Sequence, residues 1–269
     1  MVSHVYCPQL GNSGRLGNQL WQIASTAGVA AAMDADPAFP PWEYQSVFSV
    51  PEEFFGEPAG VEISTLISHL PDVAKPYLQD YGLWKDIAST IRDWFRPTIW
   101  ASAIVDTYPG QKKLQQLPRP WVALHVRRGD LATAHLRQEE GYHPLRPMSY
   151  YEEALERCSG SLIVFSDDIP WCKQNLDADH FFEGGPPRPR ETESDYRSAP
   201  VLDWIDLLAM PQCDQFILSN STYSWWGAWL SGKSHVIYPW PWFGPKLREI
   251  DASLMFPSEW TRLTHKRVV

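Results

Sequence analysis

The chain has 269 residues, of which 44% are hydrophobic, and it carries a formal net charge of −9. Its length allows one large domain or two compact ones, and its negative charge argues against non-specific binding to nucleic acid or to an anionic membrane. No apolar run approaches the roughly 18–20 residues that cross a bilayer, and the first residues lack a basic region followed by an apolar stretch, so we expect neither a transmembrane segment nor a signal peptide.

The N-terminal part of the chain is predicted to start with a short strand around residues 5–7. A glycine-rich turn at 11–17 then leads into a predicted helix over 18–33. Residues 36–120 contain many prolines and show weak periodicity, which is compatible with a smaller α/β unit in this part of the chain.

The boundary between two domains is predicted near residues 111–120 (QKKLQQLPRP), which are typical of a connector. We therefore predict an N-terminal domain over residues 1–115 and a C-terminal domain over 116–269.

The C-terminal part alternates between apolar strand-like runs and helical stretches, which favours a parallel sheet covered by helices. The polar, proline-rich segment 186–200 is predicted to be a surface loop, and residues 262–269 a solvated end. Strands are predicted at 121–126, 161–165, 214–218 and 235–238, and helices at 149–158, 200–210 and 222–231.

The four cysteines are far apart in sequence and form no C-x-x-C pair. This spacing argues against a zinc site and a disulfide framework, and it favours a cytoplasmic, reducing location. The 14 tryptophans could stack on sugar rings, although side chains of this size more often fill a core.

Three of the predicted strands run directly into polar clusters, and the first cluster is residues 125–130 (HVRRGD). Ligands of open parallel sheets bind at the carboxyl ends of the strands. Arg127 and Arg128 are suited to a diphosphate, because a guanidinium stays charged and donates two parallel hydrogen bonds. His125 lies on the same strand face as Arg127, and Asp130 could orient an arginine or accept a proton. A structural Arg–Asp ion pair is the alternative.

The second cluster is residues 165–169 (FSDDI). The two aspartates could hold a metal, begin the next helix as a cap, or accept hydrogen bonds from a base such as guanine. A metal site requires more oxygen ligands than this cluster offers.

The third cluster is residues 219–226 (SNSTYSWW), where small hydroxyl side chains precede a predicted helix. Backbone N–H groups at a helix start, together with Ser and Thr hydroxyls, form a binding site for phosphate. Plain helix capping is the alternative, and we interpret Trp225, Trp226 and Trp229 mainly as core residues. No G-x-x-x-x-G-K-[ST] motif is present, so a P-loop is excluded.

Together these segments resemble the α-1,2-fucosyltransferase family. The first two of the shared motifs recur in related protein and chitooligosaccharide fucosyltransferases, whereas SNSTYSWWGAWL is more specific to the α-1,2 group. Trp21 departs from the family, which usually carries Phe there, and residues 36–110 show little that can be aligned. The matching segments are 14–20 (GRLGNQL), 125–130 (HVRRGD), 150–155 (YYEEAL), 165–172 (FSDDIPWC) and 219–230 (SNSTYSWWGAWL).

The resemblance implies a GT-B-type fold with two Rossmann-like lobes, in which a parallel sheet in the C-terminal lobe binds the donor GDP-fucose. It further implies inverting transfer that requires no metal and no other cofactor. Arg127 and Arg128 would hold the diphosphate, His125 and Asp168 would lie near the guanine, and Asn18 would face the reaction centre from the other lobe. The implied donor site also includes Gly17, Ser166, Asn220, Ser221 and Thr222.

The predicted function is therefore transfer of fucose to a carbohydrate hydroxyl, O2 of a terminal β-galactoside by the resemblance. The catalytic residues are predicted to be Arg128, Asp130 as a general base, and Asn18. Predicted partners are GDP-fucose and a galactoside glycan, with no nucleic acid, and peripheral contact with a membrane is left open. Two alternatives are a transferase for another nucleotide sugar or linkage, and a non-catalytic carbohydrate-binding protein.

Overall fold

The computed structural model describes residues 2–57, 60–70, 75–129, 141, 143–184 and 202–264. The chain forms two compact units, one of Met1–Ala101 with Pro245–Ser258, and one of Ser102–Gly244 with Glu259–Val269. The segment Pro245–Ser258 belongs to the first unit because its 3-10 helix, Ala252–Met255, contacts the 3-10 helix Tyr81–Leu83. The predicted boundary between residues 115 and 116 thus lies C-terminal to this division.

The first unit contains a small parallel sheet in which β1 (His4–Tyr6) lies between β2 (Asp36–Ala38) and β3 (Val61–Glu62). The predicted helix after the glycine turn is confirmed as α1 (Leu16–Ala32). This helix is largely buried, because most of its residues are apolar or small. The unit also contains α2 (Ala88–Trp94) and the start of α3 (Ile99–Thr107).

The second unit is built on a six-stranded sheet in which every neighbouring pair is parallel. The four strands that the sequence predicts are confirmed: they are the first, second, fourth and fifth of this sheet in chain order. The strands are β4 (Trp121–Val126), β5 (Ser161–Ser166), β6 (His180–Phe181), β7 (Gln215–Ile217), β8 (Val236–Trp240) and β9 (Thr261–Thr264), in the order β6-β5-β4-β7-β8-β9.

The end of the chain corrects one prediction, since Arg262 to Thr264 belong to the edge strand β9 rather than to a solvated end. Only Leu263 of this strand is buried, so its sequence gives little hydrophobic signal. Residues 265–269 and the predicted surface loop 186–200 lie outside the described residues.

The helices of the second unit follow the predicted alternation with strands. The predicted helix 222–231 is confirmed with the same bounds, whereas the other two helices are shorter than predicted at one or both ends. The observed helices are α4 (Pro109–Leu114), α5 (Met148–Leu155), α6 (Ile169–Asn175), α7 (Trp204–Ala209) and α8 (Thr222–Ser231).

The core of this unit confirms the interpretation of the tryptophans on α8. Trp225, Trp226 and Trp229 are at most 4% exposed, and their rings contact one another. On α5 the buried Tyr150 donates its hydroxyl to the carbonyl of Leu218 at 2.6 Å, which ties this helix to the end of β7.

The predicted α/β class is confirmed, and each unit contains the parallel sheet that a GT-B-type fold requires. Among the helices of the described residues, none has both the length and the apolar character needed to cross a bilayer.

Candidate active site

The three predicted polar clusters lie at one edge of the six-stranded sheet. They follow β4, β5 and β7, and β4 pairs with both of the other strands in parallel. Parallel strands end at the same edge, which is where α/β proteins of this kind bind ligands. The sequence prediction that the clusters converge is therefore confirmed.

His125 is held inside this edge as a neutral group. It is 7% exposed, and its Nδ1 lies 2.7 Å from the hydroxyl oxygen of Ser219, the first residue of the third cluster. Burial, with the neighbouring charge of Arg127, lowers the pKa of His125 to about 3. His125 thus joins the ends of β4 and β7 without carrying a charge at neutral pH.

Arg128 is fixed at both its backbone and its side chain. The backbone N–H groups of Arg128 and Gly129 donate to Asp167 Oδ1 at 2.8 and 3.1 Å. The Nε of Arg128 lies 3.4 Å from Asp168 Oδ2, and its guanidinium carbon lies 3.8 Å from the ring centroid of Trp171. Asp130, the predicted base, lies outside the described residues.

Asp168 combines two of the roles that the sequence left open. Its Oδ1 accepts a hydrogen bond from the N–H of Trp171 at 3.2 Å and so caps α6, while its Oδ2 contacts Arg128. Its own N–H donates to Ser166 Oγ at 2.9 Å. Ser166 and Asp168 are therefore parts of one hydrogen-bonded turn after β5.

In the third cluster, the side chain of Ser221 does not cap α8. Ser221 occupies the cap position in an extended conformation, and its side chain makes no capping hydrogen bond. Asn220 and Ser221 are each 3% exposed, and Thr222 is the first residue of the helix. Plain capping by Ser221 is therefore not what this segment does, and the phosphate-binding interpretation gains support.

Sequence reasoning missed a third arginine at this edge. Arg146 donates from Nε to Asn220 Oδ1 at 3.3 Å and from Nη2 to the carbonyl of Pro241 at 2.5 Å. It thereby joins the residues that follow β7 to those that follow β8. Only an isolated arginine ahead of a helix signals this residue in the sequence.

A buried carboxyl group on α7 was missed as well. Burial, with the nearby Asp203, raises the pKa of Asp206 to about 8. Its Oδ1 is buried, and a hydrogen bond from the backbone of Gly184 to the carboxyl group partly opposes this rise in the pKa. Titratable groups with such displaced pKa values occur often at functional sites.

Two predicted site residues, Gly17 and Asn18, lie in the N-terminal unit on the first turn of α1. Asn18 Oδ1 accepts a hydrogen bond from Gln79 Nε2 at 2.9 Å. Gly14 has a φ of 79° and approaches the side chain of Asn18 so closely that a Cβ would lie 2.5 Å from its amide nitrogen. Only a glycine at position 14 thus leaves room for the side chain of Asn18 in this turn.

No group of three or more His, Cys, Asp or Glu side chains that could hold a metal ion occurs among the described residues.

Solved structures with a similar course of the chain include two fucosyltransferases. The NodZ α-1,6-fucosyltransferase soaked with GDP-fucose has a TM-score of 0.46 and 13% identity, over 86% of this chain and 93% of that one. POFUT1 in complex with GDP has a TM-score of 0.43 and 14% identity, over 88% of this chain and 98% of that one.

Among curated proteins, the chain is similar to two from Escherichia coli. The O-antigen biosynthesis glycosyltransferase WbnK is 37% identical over 130 residues, which are 45% of this chain and 38% of that protein. The α-1,2-colitosyltransferase is 30% identical over 156 residues, which are 53% and 47% of the two chains.

A mammalian relative gives a similar match. The galactoside α-(1,2)-fucosyltransferase 1 of Leontopithecus chrysomelas is 30% identical over 127 residues, 44% of this chain and 31% of that protein. The chain thus matches less than half of the length of each of these three relatives. The family model described as glycosyl transferase family 11 matches residues 66–261. These findings confirm the predicted relation to the α-1,2-fucosyltransferases, and the chain belongs to glycosyl transferase family 11.

Proposed function

We propose that this chain transfers fucose from GDP-fucose to a carbohydrate hydroxyl, O2 of a terminal β-galactoside, with inversion at the anomeric carbon. Family membership supports the class of reaction. The observation that carries the proposal is the fixed guanidinium of Arg128, which follows β4. The neighbouring strand β7 leads into α8, whose N-cap residue Ser221 makes no capping hydrogen bond with its side chain.

In the proposed reaction the acceptor oxygen forms a bond to the anomeric carbon. The bond from that carbon to the β-phosphate oxygen breaks with its electron pair, so negative charge grows on the departing GDP. Arg127, Arg128 and the N–H groups at the start of α8 stabilise this charge more in the transition state than in the ground state. We propose that these groups neutralise the diphosphate in place of a metal ion.

The proton of the acceptor hydroxyl leaves in the same step, and Asp130 remains our proposed base for it. His125 is less suited to this task, because its buried ring is already hydrogen-bonded to Ser219. We assign His125 and Asp168 to the guanine side of the donor site, and Ser166, Asn220, Ser221 and Thr222 to the donor site around it. As the family resemblance implies, we assign Asn18 to the reaction centre and Gly17 to the donor site.

A second donor sugar is favoured by one observation, the similarity to a protein named as a colitosyltransferase. A purely carbohydrate-binding function is the other alternative. Trp225, Trp226 and Trp242 are at most 1% exposed and offer no open ring face to a sugar, whereas Trp100 is 53% exposed.

The test of the proposal is the variant Arg128→Ala, assayed with GDP-fucose and a panel of β-galactosides. We expect turnover to fall about 10²–10³-fold, as for the loss of one preorganised donor to a developing anion. Product mass and linkage analysis identify the transferred sugar, and GDP-, UDP- and ADP-sugars compared side by side identify the donor.

The matched control is Arg157→Ala, which removes an arginine that follows α5, is 45% exposed and forms an ion pair with Glu153. This variant should keep wild-type turnover. A folded Arg128→Ala protein with near-wild-type turnover would rule out the proposed mechanism.

A further inference from the structure

We propose that Trp171 is a positioning residue for the donor site, whose indole face holds the guanidinium of Arg128 ready for the diphosphate. This inference rests on the proposed function, and it assigns a task to a side chain that the three polar clusters leave unused.

The contacts of Arg128 among the described residues involve one part of its guanidinium. The carbon of the group lies 3.8 Å from the ring centroid of Trp171, and Nε contacts Asp168. For the two terminal nitrogens, Nη1 and Nη2, no hydrogen-bond partner occurs among the residues that the structure describes. These are the two donors with which an arginine binds a phosphate in a bidentate manner.

The sequence places Trp171 there through the cap of α6. Asp168 accepts the N–H of Trp171 with one oxygen and contacts Arg128 with the other. The cap therefore fixes the first turn of the helix and, with it, the indole beside the guanidinium. Because Asp167 holds the backbone of Arg128 as well, the arginine is restrained at its backbone, at Nε and across its plane.

Stacking on an indole restrains a guanidinium in a way that suits phosphate binding. The face of the group is covered, while the N–H bonds in its plane still point outwards. A long arginine side chain that is already ordered loses less rotamer freedom when the ligand binds. The effect should be larger in the transition state, where preorganised donors meet the growing charge.

The test compares Trp171→Leu, which removes the aromatic face, with Trp171→Phe, which keeps a smaller one. We expect GDP, measured by calorimetry, to bind about five- to tenfold more weakly to the leucine variant. The phenylalanine variant should restore binding to within about threefold of wild type.

The decisive measurement repeats both substitutions in an Arg128→Ala background. If Trp171 acts through Arg128, neither substitution weakens GDP binding further once the guanidinium is gone. Equal losses in both backgrounds would mean that Trp171 only supports the fold, and the inference would be wrong. If the leucine variant does not fold, Trp171→Phe in the wild-type and the Arg128→Ala backgrounds gives the same comparison.

The outcomes separate this inference from the function on which it rests. If Arg128→Ala alone binds GDP as tightly as wild type, the proposed donor site is wrong. If that variant loses GDP binding while Trp171→Leu keeps it, the donor site stands and only the role of Trp171 is rejected.

Discussion

The sheet edge of the C-terminal unit and the start of α1 in the N-terminal unit both concentrate polar side chains, but they hold them in different ways. At the sheet edge, side chains that follow neighbouring strands contact one another, as His125 does with Ser219 and Arg128 with Asp168. Each of these contacts joins the ends of two strands that pair directly in the sheet.

Side-chain pairs also occur at the start of α1, as between Asn18 and Gln79, but the buried Gln22 and Ser25 donate to backbone carbonyls outside the helix. Gln22 Nε2 donates to the carbonyls of Ser13 at 3.0 Å and Pro76 at 2.6 Å, and Ser25 Oγ donates to that of Leu78 at 2.7 Å. The first region thus derives its order from sheet topology, whereas the second depends on single side chains that hold an irregular segment in place.

The largest effect on stability is expected at Gln22, whose side chain alone donates to two of these carbonyls. Gln22→Leu keeps the volume but removes the donor of two part-buried carbonyls, each of which costs about 1–3 kcal/mol when it is left without a partner. The substitution also removes Gln22 Oε1, which is buried and has no partner among the described residues, and this offsets part of the loss. We expect the free energy of unfolding of the N-terminal unit to fall by about 2 kcal/mol. Hydrogen exchange of the α1 amides in a urea series measures this change in the unit concerned.

The control for this change is Gln116→Leu, since Gln116 is exposed and the same substitution there should change stability by less than about 0.5 kcal/mol. If Gln22→Leu were equally harmless, the segment around Pro76 would be held by its own packing, and the contrast between the two regions would disappear.

The same contrast explains how much of the molecule could be predicted from its sequence. The strand β4 is a continuous apolar run that ends in charged residues, so both the strand and the position of Arg127 and Arg128 follow from it. The convergence of the three clusters followed as well, because parallel strands end at a common edge.

What could not be predicted depends on contacts that are remote in sequence. Nothing near Arg146 indicates that it reaches Asn220 and Pro241. The strand β9 has a single buried residue, Leu263, which is too short a pattern to recognise. The double contact of Asp168 required the position of Arg128, so the sequence alone could only offer its roles as alternatives.

A smaller effect is expected from pH at the sheet edge. The pKa of folded His125 is about 3, below that of a histidine in an unfolded chain, so the unfolded state binds the extra proton between these values. Stability from this group is therefore complete above about pH 6.5 and is lost as the pH falls towards 3. We expect the free energy of unfolding to fall by roughly 1.5 kcal/mol because of His125 when the pH is lowered from 6.5 to 5.

The variant His125→Gln isolates this contribution, because it retains a group that can hydrogen-bond to Ser219 but does not titrate. Its free energy of unfolding, measured by hydrogen exchange of the β4 amides, should fall less than that of wild type between pH 6.5 and 5. Above pH 7 the two proteins should show parallel curves. If the free energy of unfolding of the variant changed with pH as steeply as that of wild type, His125 would not remain neutral in the folded protein.

The smallest effect concerns the contact of Arg146 with the third cluster, where the sheet edge most resembles the start of α1. Here a single side chain from a connection holds Asn220 through Oδ1 and the backbone of Pro241 through its carbonyl. The contact turns the amide so that Nδ2, which is buried and has no partner among the described residues, points away from Arg146. An oxygen of the bound donor would satisfy this nitrogen after a small local movement.

We therefore expect Arg146→Gln to weaken GDP binding about fivefold, which corresponds to roughly 1 kcal/mol and to one hydrogen bond no longer presented. Calorimetry on the folded variant measures this change, and Arg157→Gln, just after α5, should bind GDP as wild type does. Asn220→Asp should give a loss of similar size, because a carboxylate would replace the donor with an acceptor beside the proposed phosphate site. If Arg146→Gln binds GDP normally while Asn220→Asp does not, the amide is oriented by its own backbone, and sheet topology alone orders this edge.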